Sequence, residues 1–226
     1  MRRARVDALG HAGDELVLPD ASAHHLVRVL RQAPGATVEL FDGSGARATA
    51  ELLAADSTLT RVRQLDDPRE EAPRPALHLL IGVPKKPAFD LIIRMATELG
   101  VSELHPLHLS RCVPSELRLD RVERIAQAAA HQCHRDALPL LHPLRRLEQA
   151  IAELPASLDR RIALPGAPST APATGPTAVL IGPEGGFTDA EIATALDAGF
   201  SPMGLGPLVL RADTACVAAI ARAAPW

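Results

Sequence analysis

AVLIGPEGGFTDAEIATALDAGFSPMGLGPLVLRADTACVAA, residues Ala178 to Ala219, decides the fold because it switches between strand-like and helix-like periods twice within one stretch. Val179-Leu180-Ile181 is an uninterrupted apolar run, the pattern of a parallel strand buried on both faces. Gly182-Pro183-Glu184-Gly185-Gly186 ends it, and the three glycines permit positive φ and let another molecule approach the backbone closely. Thr188 with Glu191 three residues later has the spacing of a capping box, which starts a helix carrying Ile192 and Leu196 inward. A second apolar strand ends at Gly204-Leu205-Gly206-Pro207, and a last helix begins near Asp213. Two Gly/Pro loops are therefore expected to leave the same end of two adjacent strands. That end is where open α/β sheets bind ligands.

Toward the N-terminus the same rhythm continues back to Leu77. Strands are predicted over Leu77–Val83, Glu103–Leu109, Leu138–His142 and Arg160–Leu164. Helices are predicted over Pro87–Leu99, Leu119–His134 and Arg145–Leu154. Strands alternating with helices imply an α/β domain with a mostly parallel sheet covered on both faces. Residues 66–75, DDPREEAPRP, are charged and proline-rich and read as a linker. Before it, short strand-like runs separated by turns such as Pro34-Gly35 and Asp42-Gly43-Ser44-Gly45 describe a small β-barrel. One helix, Ser22 to Gln32, interrupts the barrel with Leu26, Val29 and Leu30 on its apolar side and Arg28 and Arg31 as neighbours three apart. The expected domains are thus residues 1–70 and 74–226.

Composition narrows the function classes. In 226 residues the hydrophobic share is 47% and the net charge is −3, as in a soluble globular protein, so any nucleic-acid site is a local patch. Aromatic residues are 2% with no Tyr, which argues against a platform that stacks several bases. No apolar run has the length of a membrane span, and the Arg2-Arg3-Arg5 start is not followed by a signal-peptide core. Cys112, Cys133 and Cys216 have no paired spacing, which fits a reducing cytoplasm. The loop at Gly182 matches neither a dinucleotide fingerprint nor a P-loop, and no nucleophile elbow occurs anywhere. His131-Gln132-Cys133-His134 lacks the i, i+4 ligand spacing of a helical metal site. Lys85, Lys86, Arg111, Arg118, Arg121, Arg124 and Arg135 fall at strand ends or on one helix, as a phosphate-binding face or a solvated one.

Several stretches together resemble one family. HHLVRVLR (His24–Arg31), PGATVELFDGSG (Pro34–Gly45), PKK with ATELGV (Pro84–Val101), SRC (Ser110–Cys112), RIAQAAAHQCHR (Arg124–Arg135), LIGPEGGFT (Leu180–Thr188) and LGPLVLRADTA (Leu205–Ala215) follow its order and spacing. The chain is similar over nearly its whole length to the ribosomal RNA small subunit methyltransferase E family of the SPOUT superfamily. The resemblance implies a PUA-like barrel for RNA binding, then a trefoil-knotted α/β domain. It also implies a cytoplasmic homodimer, S-adenosylmethionine as cofactor, and methylation of uridine N3 in small-subunit (16S) ribosomal RNA, free or assembled, with no membrane and no metal. Cofactor contacts would come from Leu164, Ile181, Gly182, Pro183, Glu184, Gly185, Leu205, Gly206, Pro207 and Leu210. Arg211 and Arg135 are the catalytic candidates, and Arg28, Arg31, Lys85 and Arg111 the RNA-binding ones, while Glu184 fits a loop-organising carboxylate better than a base. The final helix, with Cys216, Val217 and Ile220 on adjacent turns, would serve a dimer interface or the core. The family pattern has Arg where Leu208 stands and Glu where Asp213 and His131 stand, and these departures would bear on the site and substrate groove. They keep two other readings open: a relative that binds RNA or cofactor without catalysis, and a methyltransferase of a different RNA.

Overall fold

The computed structural model describes residues 2–55, 59–70, 75–112 and 117–224. Of the linker expected at 66–75, residues 71–74 lie outside the described residues. The chain packs as two units. One comprises Met1–Pro73 with Ala130–Leu138, the other Arg74–Ala129 with Pro139–Trp226.

The first unit is a six-stranded sheet in the order β1-β3-β4-β5-β2, with β6 pairing β4. Its strands are β1 (Arg2–Arg5), β2 (Glu15–Val17), β3 (Thr37–Phe41), β4 (Ala46–Ala55), β5 (Thr60–Gln64) and β6 (Arg69–Glu70). Strict alternation along β5, buried at Thr60, Val62 and Gln64, marks a strand with one face on the core. Ala4, Leu26, Val38, Leu40, Leu52 and Val62 fill that core. The helix expected over Ser22–Gln32 is shorter and changes type. α1 (Asp20–His24) runs into a π-helical turn, His25–Val29, because the Leu30 N–H reaches back five residues to the His25 carbonyl at 2.9 Å. Arg28 is on this turn. Arg31 is beyond it, in the left-handed region at φ 52°, and Val29 is 56% exposed rather than buried.

Residues 130–138 complete this unit. Ala137 bridges to Gly43 and Ser44, and the Leu138 N–H donates to the Gly43 carbonyl at 2.9 Å. The buried Asp136 carboxylate pairs with the buried Arg3 and accepts a longer approach from Arg47 at 3.5 Å. Arg3 also meets Glu39 at 2.8 Å and lies over the Phe41 ring. His131 belongs to the same packing. Its Nε2 lies 2.8 Å from the Arg3 carbonyl and its ring is edge-on to His25. Burial is the main cause lowering its pKa, so the ring is neutral and donates there.

The second unit carries six strands in the order β12-β10-β11-β7-β8-β9, every pair parallel. They are β7 (Leu77–Gly82), β8 (Glu103–Leu107), β9 (Leu140–Leu141), β10 (Asp159–Ala163), β11 (Thr177–Ile181) and β12 (Ser201–Met203). All residues of β7 and β11 are buried, as their apolar runs require. α2 (Lys86–Glu98), the first part of α3 (Leu119–Cys133) and α6 (Ala212–Ala223) cover one face, around Leu79, Ile81, Ile92, Val122 and Ile220. α4 (Leu147–Glu153) and α5 (Asp189–Asp197) cover the other, around Leu80, Ile151, Leu180 and Ala195. Pro87 sits in the first turn of α2, and Gly100, at φ 81°, follows its end. The strands before the two Gly/Pro loops are not adjacent: β10 pairs with both β11 and β12 and separates them. At the start of β7 and β8, burial pushes His105 down to about 3 and lowers His78, so both rings are neutral.

The loop after β10 is tied to the end of β12. The Leu164 N–H donates to the Met203 carbonyl at 3.1 Å, and the Gly204 N–H donates to the Pro168 carbonyl at 2.9 Å. A Cβ on Gly204 would overlap the Ala167 carbonyl oxygen outright and lie 2.8 Å from its carbon. Gly204→Ala is therefore expected to cost about 3 kcal/mol or more, because backbone must move. Chemical denaturation at neutral pH measures it; a loss below about 1 kcal/mol would show that the loop yields freely.

Candidate functional site

The loops after β10, β11 and β12 open together at the C-terminal end of the sheet and enclose a cleft of about 600 Å³. Its floor and walls are the ends of the strands themselves (Ala163, Leu164, Ile181) with Leu205, Leu210 and Phe187. The Gly182–Gly186 loop is held by contacts that each arise from its sequence. The Gly186 N–H donates to the Pro183 carbonyl at 2.8 Å, closing a turn that Gly186 enters at φ 69°. Arg111 Nη1 donates to the Gly185 carbonyl at 2.9 Å, and the Lys85 N–H donates to Glu184 Oε1 at 3.3 Å. Behind the loop, Thr188 and Glu191 form the expected capping box. Glu191 also accepts the Ser110 N–H at 2.7 Å, so one carboxylate joins α5 to the segment after β8. Desolvation pushes the Glu191 pKa upward, but hydrogen bonds from Ser110 and Thr188 outweigh it and hold it ionised below its ordinary range.

Close approach is built into this backbone. A Cβ on Gly182 would press on the Phe187 ring at 3.2 Å, and one on Gly185 would lie 3.0 Å from Arg111 Cβ. Gly206, at φ 122°, has open space where a side chain would be. Leu208 and Val209, 74% and 84% exposed, present bare apolar side chains at the rim. Arg211 caps α6 there. Its side chain is 82% exposed, and its Nε lies 3.6 Å from the Asp213 carboxylate.

Among the described residues lining the cleft, the ionisable ones are Arg111, Glu184 and Arg211, and none is a Ser, Thr, Cys, His or Lys. Cys112 is close in sequence, but burial raises its thiol pKa and it faces the Leu107 carbonyl at 3.6 Å. The carboxylate of Glu184, held by the Lys85 N–H, is thus the one acidic group of the described lining.

The structure brings together Leu164, Ile181, Gly182, Pro183, Glu184, Gly185, Leu205, Gly206, Leu210, Arg111 and Arg211. Pro207 is not among the lining residues, and Lys85 takes part through its backbone alone. Arg28, Arg31 and Arg135 belong to the first unit. His131, expected to bear on a substrate groove, instead packs on Arg3, His25 and Phe41. Arg118, Arg121 and Arg124 are paired with Asp120 or Asp90 and so behave as a solvated, compensated face. Sequence reasoning missed Phe187, Ile192 and Ala215 as lining residues; Ile192 and Ala215 lie on α5 and α6, where an apolar residue signals a core face and nothing more.

Residues 70–224 match the family model described as an RNA methyltransferase domain, and residues 18–59 match an RNA methyltransferase PUA domain. The ribosomal RNA small subunit methyltransferase E of Synechocystis is 33% identical over 219 residues, which cover 92% of this chain and 72% of that protein. The protein of the same name from Bacillus subtilis is 26% identical, covering 85% of this chain and 82% of its own length. The crystal structure of the Neisseria gonorrhoeae ribosomal RNA small subunit methyltransferase E, bound to S-adenosyl methionine, superposes with a TM-score of 0.90 at 28% identity. That match covers 98% of this chain and 95% of the other.

Proposed function

We infer that this chain, which belongs to the ribosomal RNA small subunit methyltransferase E family, transfers a methyl group from S-adenosylmethionine to N3 of a uridine in small-subunit ribosomal RNA. The observation that carries the reading is a glycine-walled cleft with apolar surfaces and a rim cation, whose described lining holds no hydroxyl, thiol, imidazole or amine. Its volume of about 600 Å³ and its exposed loop backbone suit a molecule with one flat apolar ring and one zwitterionic end. Ile181, Leu205 and Leu210 would hold the ring, and the backbone of Gly182–Gly185 and Gly206 would read its polar edges. When bound, the cofactor supplies a methyl group on a positively charged sulfur.

The remaining work falls to the chain's own side chains. Arg211, tethered by Asp213 at 3.6 Å, holds a positive charge at the rim, where uracil O2 or O4 carries negative charge once N3 has given its proton to solvent. Glu184 is engaged by the Lys85 backbone and organises the loop rather than taking that proton. Leu208 and Val209 exclude water from the reacting atoms once RNA covers the rim. Arg111 and Lys85 in the second unit, and Arg28, Arg31 and Arg135 in the first, supply RNA contacts. On this reading the protein works in the cytoplasm as a homodimer. Cys216 and Ile220 are buried in the chain's own core, so α6 would meet a second copy through Val217, Ala218 and Ala221. Light scattering at micromolar concentration tests that association.

The direct test is incubation with the cofactor and small-subunit RNA, bare or assembled, followed by mass spectrometry of nucleosides. A methyl group at uridine N3 supports the reading. Methylation elsewhere identifies a different target, and cofactor binding without transfer identifies a non-catalytic relative. Division of labour has its own expected outcome. Arg28→Ala with Arg31→Ala should weaken RNA binding uniformly across sequences and flatten its salt dependence, by roughly one log–log unit for each phosphate no longer neutralised. Cofactor affinity should stay unchanged. A wild-type salt slope in that variant would assign these two residues to the solvated surface.

A further inference from the structure

We propose that His78, Glu103 and His105 form a zinc-binding site in the second unit, at the opposite end of the sheet from the cleft. The parallel register sets His78 of β7 directly beside Glu103 of β8. His105 is two residues further along β8 and so projects from the same face as Glu103. On β11 the partner of His78 is Ala178, three residues before Ile181 of the cleft. The cluster is thus about 10 Å back along the strands from the cleft lining.

The three ligand atoms lie close together, with the His78 and His105 nitrogens facing each other across a hydrogen bond that an ion would replace. His78 Nδ1 is 3.2 Å from His105 Nε2, and the two lie 3.6 and 3.5 Å from Glu103 Oε2. A point equidistant from atoms so spaced lies about 2.0 Å from each, the distance at which zinc binds imidazole nitrogen and carboxylate oxygen. Two neutral imidazoles and one carboxylate are a donor set that suits this ion. Glu103 is 30% exposed and His142 18%, so the cluster is open on that side, where water takes the fourth position. His142, just past β9, donates from Nε2 to the same Glu103 oxygen at 2.7 Å and stacks on His105 with ring centroids 3.9 Å apart. That is how a second group orients a ligating carboxylate.

His105 is 4% exposed, and its Nδ1, which would carry the proton when Nε2 binds the ion, has no hydrogen-bond partner, so its orientation rests on packing against the His142 ring. The nearby cation, Arg145, is engaged by Glu153. The ion would pin the starts of β7 and β8, with no part in methyl transfer.

The test uses the full chain stripped with a chelator and titrated with Zn²⁺ alone by calorimetry. One ion per chain at submicromolar Kd is expected, with a Co²⁺ spectrum free of thiolate charge-transfer bands, which excludes the cysteines. Glu103→Gln should weaken binding at least 100-fold and His142→Gln about tenfold. Circular dichroism and S-adenosylmethionine affinity should remain those of the wild type in both. The proposal falls if the wild-type chain takes up no ion at tens of micromolar Zn²⁺. It falls equally if Glu103→Gln and His142→Gln, both folded, bind zinc as tightly as the parent.

Discussion

Valine at Gly185 or at Gly206 is expected to leave a folded chain that no longer binds S-adenosylmethionine, a loss of roughly a thousandfold or about 4 kcal/mol. The two variants fail for different physical reasons. At Gly185 the new Cβ would lie 3.0 Å from Arg111 Cβ and 3.4 Å from its Cδ, so Arg111 must move. Its hydrogen bond to the Gly185 carbonyl then goes, which leaves the loop tied outside itself by the longer Lys85–Glu184 contact. At Gly206 space is not the difficulty, since a Cβ there would meet nothing within 4 Å. The backbone is at φ 122°, which a β-branched residue avoids, so valine would turn the Leu205–Leu210 loop out of the cleft. Calorimetric titration of both proteins, with circular dichroism to confirm folding, decides the matter. Unchanged affinity in the pair would remove these loops from the cofactor site.

Arg211→Ala should separate chemistry from binding. The guanidinium is exposed at the rim and its Asp213 partner is 3.6 Å away, so removing it disturbs little of the fold. If it stabilises charge developing on the uracil oxygen, methyl transfer should fall by on the order of a hundredfold under single-turnover conditions. RNA affinity should change by no more than a few-fold, and Arg211→Lys should recover part of the rate. An RNA affinity that falls in step with the rate would instead make Arg211 a phosphate contact.

The α/β half was legible because its signals are local. The runs at Leu77–Gly82 and Val179–Ile181 are buried strands, and Thr188 with Glu191 caps a helix as the spacing required. The glycine loops announced the cleft, because glycine, proline and a capping box in succession leave few other conformations. Strand order was not legible. Nothing local to β11 or β12 records that β10 lies between them, since pairing order is settled by packing across the whole sheet. The π-helical turn escaped for a related reason: Leu26, Val29 and Leu30 fit an α-helical stripe, and only the five-residue hydrogen bond from Leu30 to His25 distinguishes the two. The histidine cluster was invisible because its members, at positions 78, 103, 105 and 142, come from three different strands or strand ends. The one His/Cys run that sequence offered, at His131–His134, packs in the first unit, and its His131 nitrogen is spent on a backbone carbonyl.

The return of residues 130–138 to the first unit carries a consequence for the order in which the protein is made. When residues 1–73 have left the ribosome, Arg3 still lacks Asp136 and Gly43 lacks the edge supplied by Ala137 and Leu138. An N-terminal fragment ending at residue 73 would keep the Arg3 guanidinium with Glu39 as counter-charge but without Asp136, and so lose one of its two buried ion pairs. The nascent barrel therefore waits, open on that side, until more than half of the chain has been translated. Its last stitch is sewn only after β7 and β8 of the other unit have been synthesised.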